Sequence, residues 1–236
     1  MKGCRRYTVL SLAMVYLMKE SNYPASLSDF AAAQLRQEII SGLAEPGKLL
    51  AESAVAQRLG VSRVPVREAL FALEREGLVA FSATGRAFVR ELTPQDFEEL
   101  YTLRLTLEPV AARLAAPVLK ADFGGLERNI KATARAKTIL DVTRLDLDFH
   151  EIILEASGNA RLLKLWRSLR GELELWLGRL HQQHQGQRLD TRDETVVEHT
   201  KIVECFKTQS PAECERVMRQ HILGWREWLP SMEGNG

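Results

Sequence analysis

Arg63 and Arg67 stand four residues apart in SRVPVREAL, and Asp146 and His150 stand four apart in DLDFHEII. Residues at that spacing share one face of a helix. The arginines offer two planar guanidinium forks, the donors that bond O6 and N7 of a guanine together in the major groove. The second pair offers a carboxylate and an imidazole pointing the same way. His199 and His221 recur on two later apolar-patterned segments, VVEHTKIVECF and MRQHILGW. One Asp and three imidazoles suit a borderline divalent ion such as Zn2+, with positions left open for water or a ligand. Spacing alone does not bring His199 and His221 to the Asp146 pair, and each histidine taken singly also fits a core or helix-end position. Asp148, two residues before His150, must point elsewhere, and His181 and His184 in the Gln-rich HQQHQGQ read as solvated.

The arginines need a scaffold, and the surrounding residues spell one. Val55 and Leu59 give a short helix one apolar stripe. Gly60 stops it, since glycine enters the left-handed conformation without strain. Ser62 is placed to cap the next helix, Pro65 falls in its first turn, where a missing N–H costs little, and Val66, Leu70 and Leu73 face inward. Gly77 ends that helix, and Leu78–Ser82 and Arg86–Leu92 alternate as two short strands around Thr84-Gly85, a wing. A recognition helix enters the major groove N-terminus first, so its first-turn side chains meet the base edges. An ordinary helical hairpin with surface arginines is the plain alternative. The ordered series of cap, proline, arginines, glycine stop and hairpin argues against it.

Bulk composition does not advertise this role. The 236 residues are 45% apolar, enough for two modest cores, and the net charge is only +1. Residues 1–93 hold 12 Lys and Arg against 9 Asp and Glu, and the remainder holds 20 against 22. DNA affinity must therefore come from placement, with Arg58, Arg63, Arg67, Arg86 and Arg90 gathered at the reading head and phosphate contacts making it salt-dependent. Cys4, Cys205 and Cys214 lack metal or redox spacing and read as reduced thiols of a cytoplasmic protein. Lys2, Arg5 and Arg6 precede an apolar run, Val9–Met18, that is too short for a bilayer, which takes about 20 residues; no clear cleavage site follows it. It reads as an added N-terminal helix, or as sequence upstream of a true start at Met14 or Met18, and no membrane partner is expected.

From Thr93 onward helical periodicity takes over. Thr93-Pro94 with Asp96 is a helix start, and helices are expected near 94–116, 122–138, 141–157, 160–183, 191–208 and 211–229. Six amphipathic segments with short connections imply an antiparallel bundle, with Trp166, Trp176, Trp225 and Trp228 serving packing. The expected fold class is mainly α: a winged helix-turn-helix followed by an all-α bundle. The expected division is an extension at 1–27, a DNA-binding domain at 28–92, a helical effector-binding and dimerisation domain at 93–230, and a tail at 231–236.

Residues 35–90 resemble the winged helix of GntR-type bacterial transcription regulators, through LRQEIISG, the PGKLL turn, AQRLGVSR, PVREAL, LEREGLV and the closing AFV. The family often has threonine where Val64 stands, some members carry a DNA-contacting arginine where Ser53 stands, and the wing usually reads Gly-x-Gly where Thr84-Gly85-Arg86 stands. The resemblance thus implies a DNA-facing set of Ser53, Ser62, Arg63, Val64, Arg67, Gly85 and Arg86. Residues 94–229 resemble the FCD effector domain of the FadR subfamily, in its shorter VanR-type branch, through YTLRLTLEPVAARLAA, DLDFHEIILEASGN, EHTKIVECF and MRQHI. That domain holds a buried metal through residues that fall on Asp146, His150, His199 and His221. Its first-helix arginine, which meets an effector carboxylate, falls on Arg104; pairing with Glu108 four residues on is an equal alternative. Asn159 fits a helix-capping position.

The resemblance implies a one-component regulator, by default a repressor, cytoplasmic and nucleoid-associated. A homodimer would read a palindromic operator in double-stranded DNA, and a small carboxylate would bind the metal and Arg104. A rival from another class is a metal-dependent hydrolase, since an Asp and three His can activate water, but no further Glu or His is visibly placed as its general base. A third reading keeps the DNA function and makes the metal purely structural.

Overall fold

A computed structural model describes residues 26–186 and 191–224, the side chains of 182–186 excepted. Residues 1–25 of the N-terminal extension, the 231–236 tail, Cys4, the His184 side chain, Trp225 and Trp228 lie outside the described residues.

The head begins with α1 (Leu27–Ile40), opened by Ser26, whose hydroxyl accepts from the Asp29 N–H at 3.1 Å. α2 (Glu52–Leu59) ends at Gly60 in the left-handed region, φ +69°. α3 (Arg63–Arg75) follows from an extended Ser62. The expected cap hydroxyl bond from Ser62 is not made. Pro65 occupies the third helical position, so the N–H that such a hydroxyl commonly accepts from does not exist. The wing is β1 (Val79–Phe81) against β2 (Ala87–Val89), antiparallel with Ala80 opposite Phe88. Both strands are shorter than expected. A third extended segment, absent from the sequence reading, joins them: Leu49 bridges Phe88, and the Leu50 N–H donates to the Ala87 carbonyl at 2.8 Å. Leu35, Ile39, Val66, Leu70, Leu73, Leu78 and Val89 bury together beneath the reading face.

The bundle is α4 (Pro94–Ala121), α5 (Gly124–Thr133), α6 (Ile139–Ala156), α7 (Ala160–Gly186), α8 (Thr191–Thr208) and α9 (Pro211–Gly224). Thr93 and Asp96 form a reciprocal capping box at the start of α4. α4 runs past the expected stop at 116, through Pro117. That proline is exposed, so the carbonyl it leaves without a donor can turn to water. α5 stops short of 138 because Thr138 caps the next helix, accepting from Asp141 N–H at 3.1 Å. Asn159 Oδ1 accepts from the Arg161 and Leu162 N–H groups, both at 3.2 Å, and so caps α7. Phe149, Ile153, Phe206 and Met218 fill one core layer, and Leu147, Trp166, Leu173 and Leu177 another.

α7 is also where the head rests. Leu175 lies in the head's own core cluster. Arg90 bonds Glu172 of α7 and Asp96 of α4, each at 2.7 Å. Gly171 brings α7 so near α3 that a Cβ there would sit 2.4 Å from the Glu76 carbonyl oxygen. Gly77, at φ +72°, faces Glu172 just as tightly.

Candidate DNA-reading face and candidate metal centre

Arg63 and Arg67 project from the first two turns of α3 with 65% and 58% of their side chains exposed. Both meet one carboxylate. Glu52 Oε1 accepts from Arg67 Nε at 2.7 Å, and Oε2 accepts from Arg67 Nη2 at 2.9 Å and Arg63 Nη2 at 3.2 Å. The Arg67 hydrogen bond above all holds the Glu52 carboxyl below its ordinary range. Glu52 escaped the sequence reading because its partners come from another helix, 11 and 15 residues away, and no helical period marks such a contact.

Ser53, Arg63, Arg67, Gly85 and Arg86 line one groove between α2, α3 and the wing. Val64, 67% exposed, stands beside it with Phe71. Gly85 forms the wing tip at φ +74°, donating its N–H to the Ser82 carbonyl at 2.8 Å. Ser62 sits directly before the arginines, its hydroxyl not engaged in capping. Of the five arginines expected at the head, two serve elsewhere. Arg58 is paired with Glu38, and Arg90 ties head to bundle.

The second constellation forms inside the bundle. Asp146 and His150 come from α6, His199 from α8 and His221 from α9, and one nitrogen from each histidine falls within 4.8 Å of the others. His199 Nε2 lies 3.2 Å from Asp146 Oδ1, and His221 Nε2 lies 3.3 Å from His150 Nε2. Asp146, His150 and His199 are fully buried, with Phe149 stacked on the His199 ring at 3.8 Å. Both Asp146 oxygens, both His199 nitrogens and His150 Nδ1 are buried without a hydrogen bond of good geometry. A carboxylate removed from water without partners is costly, and a carboxylate with three imidazoles is a divalent-ion donor set. These residues fit a metal.

The protonation states agree. Burial pushes His199 and His221 below the ordinary imidazole range, despite the Asp146 charge, and a ligating imidazole must be neutral. Burial opposes charge on Asp146, yet contact with His199 and the fields of His150, His199 and Arg104 outweigh it, so its carboxyl lies well below the usual range.

One residue organises the cluster from behind. Glu108 of α4 accepts from Arg104 Nε at 2.7 Å and from Trp166 Nε1 at 3.0 Å, and its Oε2 lies 2.7 Å from His150 Nδ1. With Nδ1 turned toward Glu108, His150 Nε2 faces His221, the carboxylate–histidine contact that orients metal ligands. Burial again opposes the charge, but Arg104 and His150 hold the Glu108 carboxyl low. Of the two roles open to Arg104, the structure realises the pairing with Glu108; Arg104 is 1% exposed. From spacing Glu108 shows only as that partner; its contacts to His150 and Trp166 cross between helices and carry no period. His181, expected in solvent, is instead buried with Nδ1 at 2.7 Å from the Thr143 hydroxyl. The polar neighbours of HQQHQGQ suggested solvent, whereas His181 opens that run on the inward side of α7.

A cleft of about 730 Å³ between α8 and α9 reaches Asp146 and His221 and is edged by Lys201 and Arg216. Cys205 and Cys214 are free, buried thiols 3.6 Å apart, the latter pushed up to about 12 chiefly by burial. No helix among the described residues is long and apolar enough to cross a membrane.

Both constellations fall within segments that match known protein families. The family described as "Bacterial regulatory proteins, gntR family" matches residues 27–89, and the FCD domain matches residues 99–224. The HTH-type transcriptional regulator YdhC of Bacillus subtilis is 30% identical over 196 residues, 80% of this chain and 83% of that protein. The gluconate operon transcriptional repressor of the same organism is 33% identical over 158 residues, 65% of this chain and 64% of the relative. The fold is shared with a GntR transcriptional regulator from Rhodococcus sp. RHA1, at TM-score 0.70 and 22% identity over 87% of this chain and 99% of that one. It is shared too with E. coli McbR/YncC, at TM-score 0.63 and 20% identity over 86% and 98%.

Proposed function

As the chain belongs to the GntR family of DNA-binding transcription regulators and carries an FCD domain, we propose that it is a repressor whose hold on a palindromic operator is set by a small organic acid at a metal site in the bundle. Relatives named as repressors support the sign of regulation. The observation that carries the control is the grouping of His150, His199 and His221 around Asp146, whose Oδ2 is buried without a hydrogen bond.

Asp146, His150, His199 and His221 hold the ion, Zn2+ being suited to that set. The ion supplies a Lewis-acid anchor for a carboxylate oxygen. Phe149 and the packed core around it shield the His199 side of the site from water, which strengthens charge interactions there, while the cleft opens on the Asp146 and His221 side. Arg104 is the cation for the acid's second contact. It is already engaged by Glu108, so an arriving carboxylate exchanges with a resident one, and Glu108 in turn touches His150 and Trp166. Trp166 begins the stretch of α7 whose later residues, Gly171, Glu172 and Leu175, meet the head. An acid that prefers one arrangement of this network shifts the head between DNA-competent and incompetent states by its difference in affinity. Hydrolysis is not assigned: the further carboxylate brought to the cluster, Glu108, is committed to Arg104, Trp166 and His150.

The division of labour falls between 28–92, which reads DNA, and 93–230, which senses and dimerises. Leu103, Leu107, Val110, Leu114 and Val118 form one stripe along α4, and Leu103, Leu114 and Val118 are 40%, 41% and 55% exposed. A second copy covering that stripe supplies the two-fold axis that a palindrome mirrors. A protein acting on genomic DNA in this way would work with the nucleoid in the cytoplasm.

Sequencing of genomic fragments retained by the full-length protein tests this reading. It expects a few promoter fragments sharing a two-fold-symmetric site, released by a carboxylate only from the metal-loaded protein. Fragments drawn at random from the genome would overturn it.

A further inference from the structure

Glu52 places a negative charge in the middle of the DNA-reading face. Its oxygens lie 2.7 to 3.2 Å from the guanidinium nitrogens of Arg67 and Arg63, in the groove they share with Ser53 and Arg86. For affinity alone that is a poor choice. A carboxylate there repels phosphates and offsets part of the positive charge on which sequence-independent binding rests. The geometry is otherwise well chosen. Glu52 takes Nε and one N–H of Nη2 of Arg67. An arginine has five N–H donors in a fixed fork. The edge formed by Nη1 and the second N–H of Nη2 therefore stays available, and that edge can bond guanine O6 and N7 together. The shared Oε2 tethers Arg63 Nη2 as well, so both forks are held in one relative orientation before DNA arrives. An arginine with about 60% of its side chain exposed, such as Arg67, would otherwise sample many rotamers and lose that freedom on binding.

We infer that Glu52 is a specificity-positioning residue, which lowers affinity for DNA in general and raises discrimination for the operator by orienting Arg63 and Arg67 together. It supports the two arginines across the α2–α3 groove, in the way that ordered partners support the ligands of a metal. The inference rests on DNA binding alone and is independent of metal and acid.

The test is selection of a randomised duplex library by the full-length protein, followed by titration of the best duplex and of its scrambled counterpart at several salt concentrations. In Glu52→Gln the ratio of the two affinities falls by about tenfold, in line with the loss of one good base contact. Affinity for the scrambled duplex rises, and its salt slope steepens by about one, as a guanidinium is freed for phosphate. Glu52→Asp keeps the charge but withdraws the oxygens by about 1.5 Å, one C–C bond. In that variant discrimination falls while scrambled-duplex affinity stays at the wild-type value. A ratio unchanged in Glu52→Gln, with both affinities rising together, would show a charge acting without orientation and overturn the inference. Both affinities falling together, with a lowered melting temperature, would show a purely structural residue and overturn it as well. Full discrimination in Glu52→Asp would do the same for the geometric claim.

Discussion

Removing the metal should lower the melting temperature by an amount the site itself sets. Asp146 Oδ1 and His199 Nε2 meet only each other, at 3.2 Å, and Asp146 Oδ2 is buried without a hydrogen bond. An unsatisfied buried polar atom costs about 1–3 kcal/mol, so Asp146 Oδ2 by itself leaves about that much for an ion to relieve. An ion held at about 1,000 times its Kd stabilises the folded state by about 4 kcal/mol. In a chain of this size each kcal/mol moves Tm by about 2–4 °C, so stripping should lower it by about 8–16 °C. Thermal unfolding of loaded, chelator-stripped and Zn2+-restored protein, with metal content measured on each sample, makes the comparison. In His199→Ala the stripped and loaded samples should melt together. Equal melting of stripped and loaded wild-type protein, with no ion retained through purification, would refute the reasoning and return the four residues to the status of core polar groups.

Arg67→Ala should cost about 1–3 kcal/mol of discrimination between selected and scrambled duplexes if its fork meets a guanine, and Arg67→Lys should not restore it, since an ammonium lacks the planar fork. Glu108→Gln should weaken metal affinity about 10- to 100-fold through the misoriented His150, read by competition with a chromophoric chelator while the helical circular dichroism holds. Gly171→Ala should lower stability by about 1–3 kcal/mol, because its Cβ would meet the Glu76 carbonyl at 2.4 Å; the loss should appear in the head first, by hydrogen exchange of α3 amides.

What was legible in the chain was local. Gly60, Pro65, Gly77 and the Thr93–Asp96 box act within a turn or two, so helix starts and stops of the head and bundle could be placed near their observed positions. Asp146 and His150 share a helix face and could be paired from spacing. His199 and His221 could not, because bundle topology and not period brings α8 and α9 to α6; the family resemblance supplied that join. Contacts between elements stayed hidden. Glu52 meets its arginines across a groove, Glu108 meets Trp166 across 58 residues, and Leu49 joins the wing from before the helix pair. Local chemistry misled at two positions. Ser62 looks like a capping residue until Pro65 removes its donor, and His181 looks solvated among glutamines until the twist of α7 turns it inward. The helix expected to end at 116 runs on through Pro117, because that residue's steric cost is local, while the packing that carries α4 onward to Ala121 is not.

Control of DNA reading from the bundle is tested most directly by titrating the selected duplex with full-length protein, metal-loaded and metal-stripped, across a panel of mono- and dicarboxylic acids of two to six carbons. At least one acid should weaken duplex binding by the loaded protein fivefold or more, about 1 kcal/mol of coupling at the least, and have no effect on the stripped protein or on His199→Ala. An acid response of equal size with and without the ion would contradict a sensor built on Asp146, His150, His199 and His221.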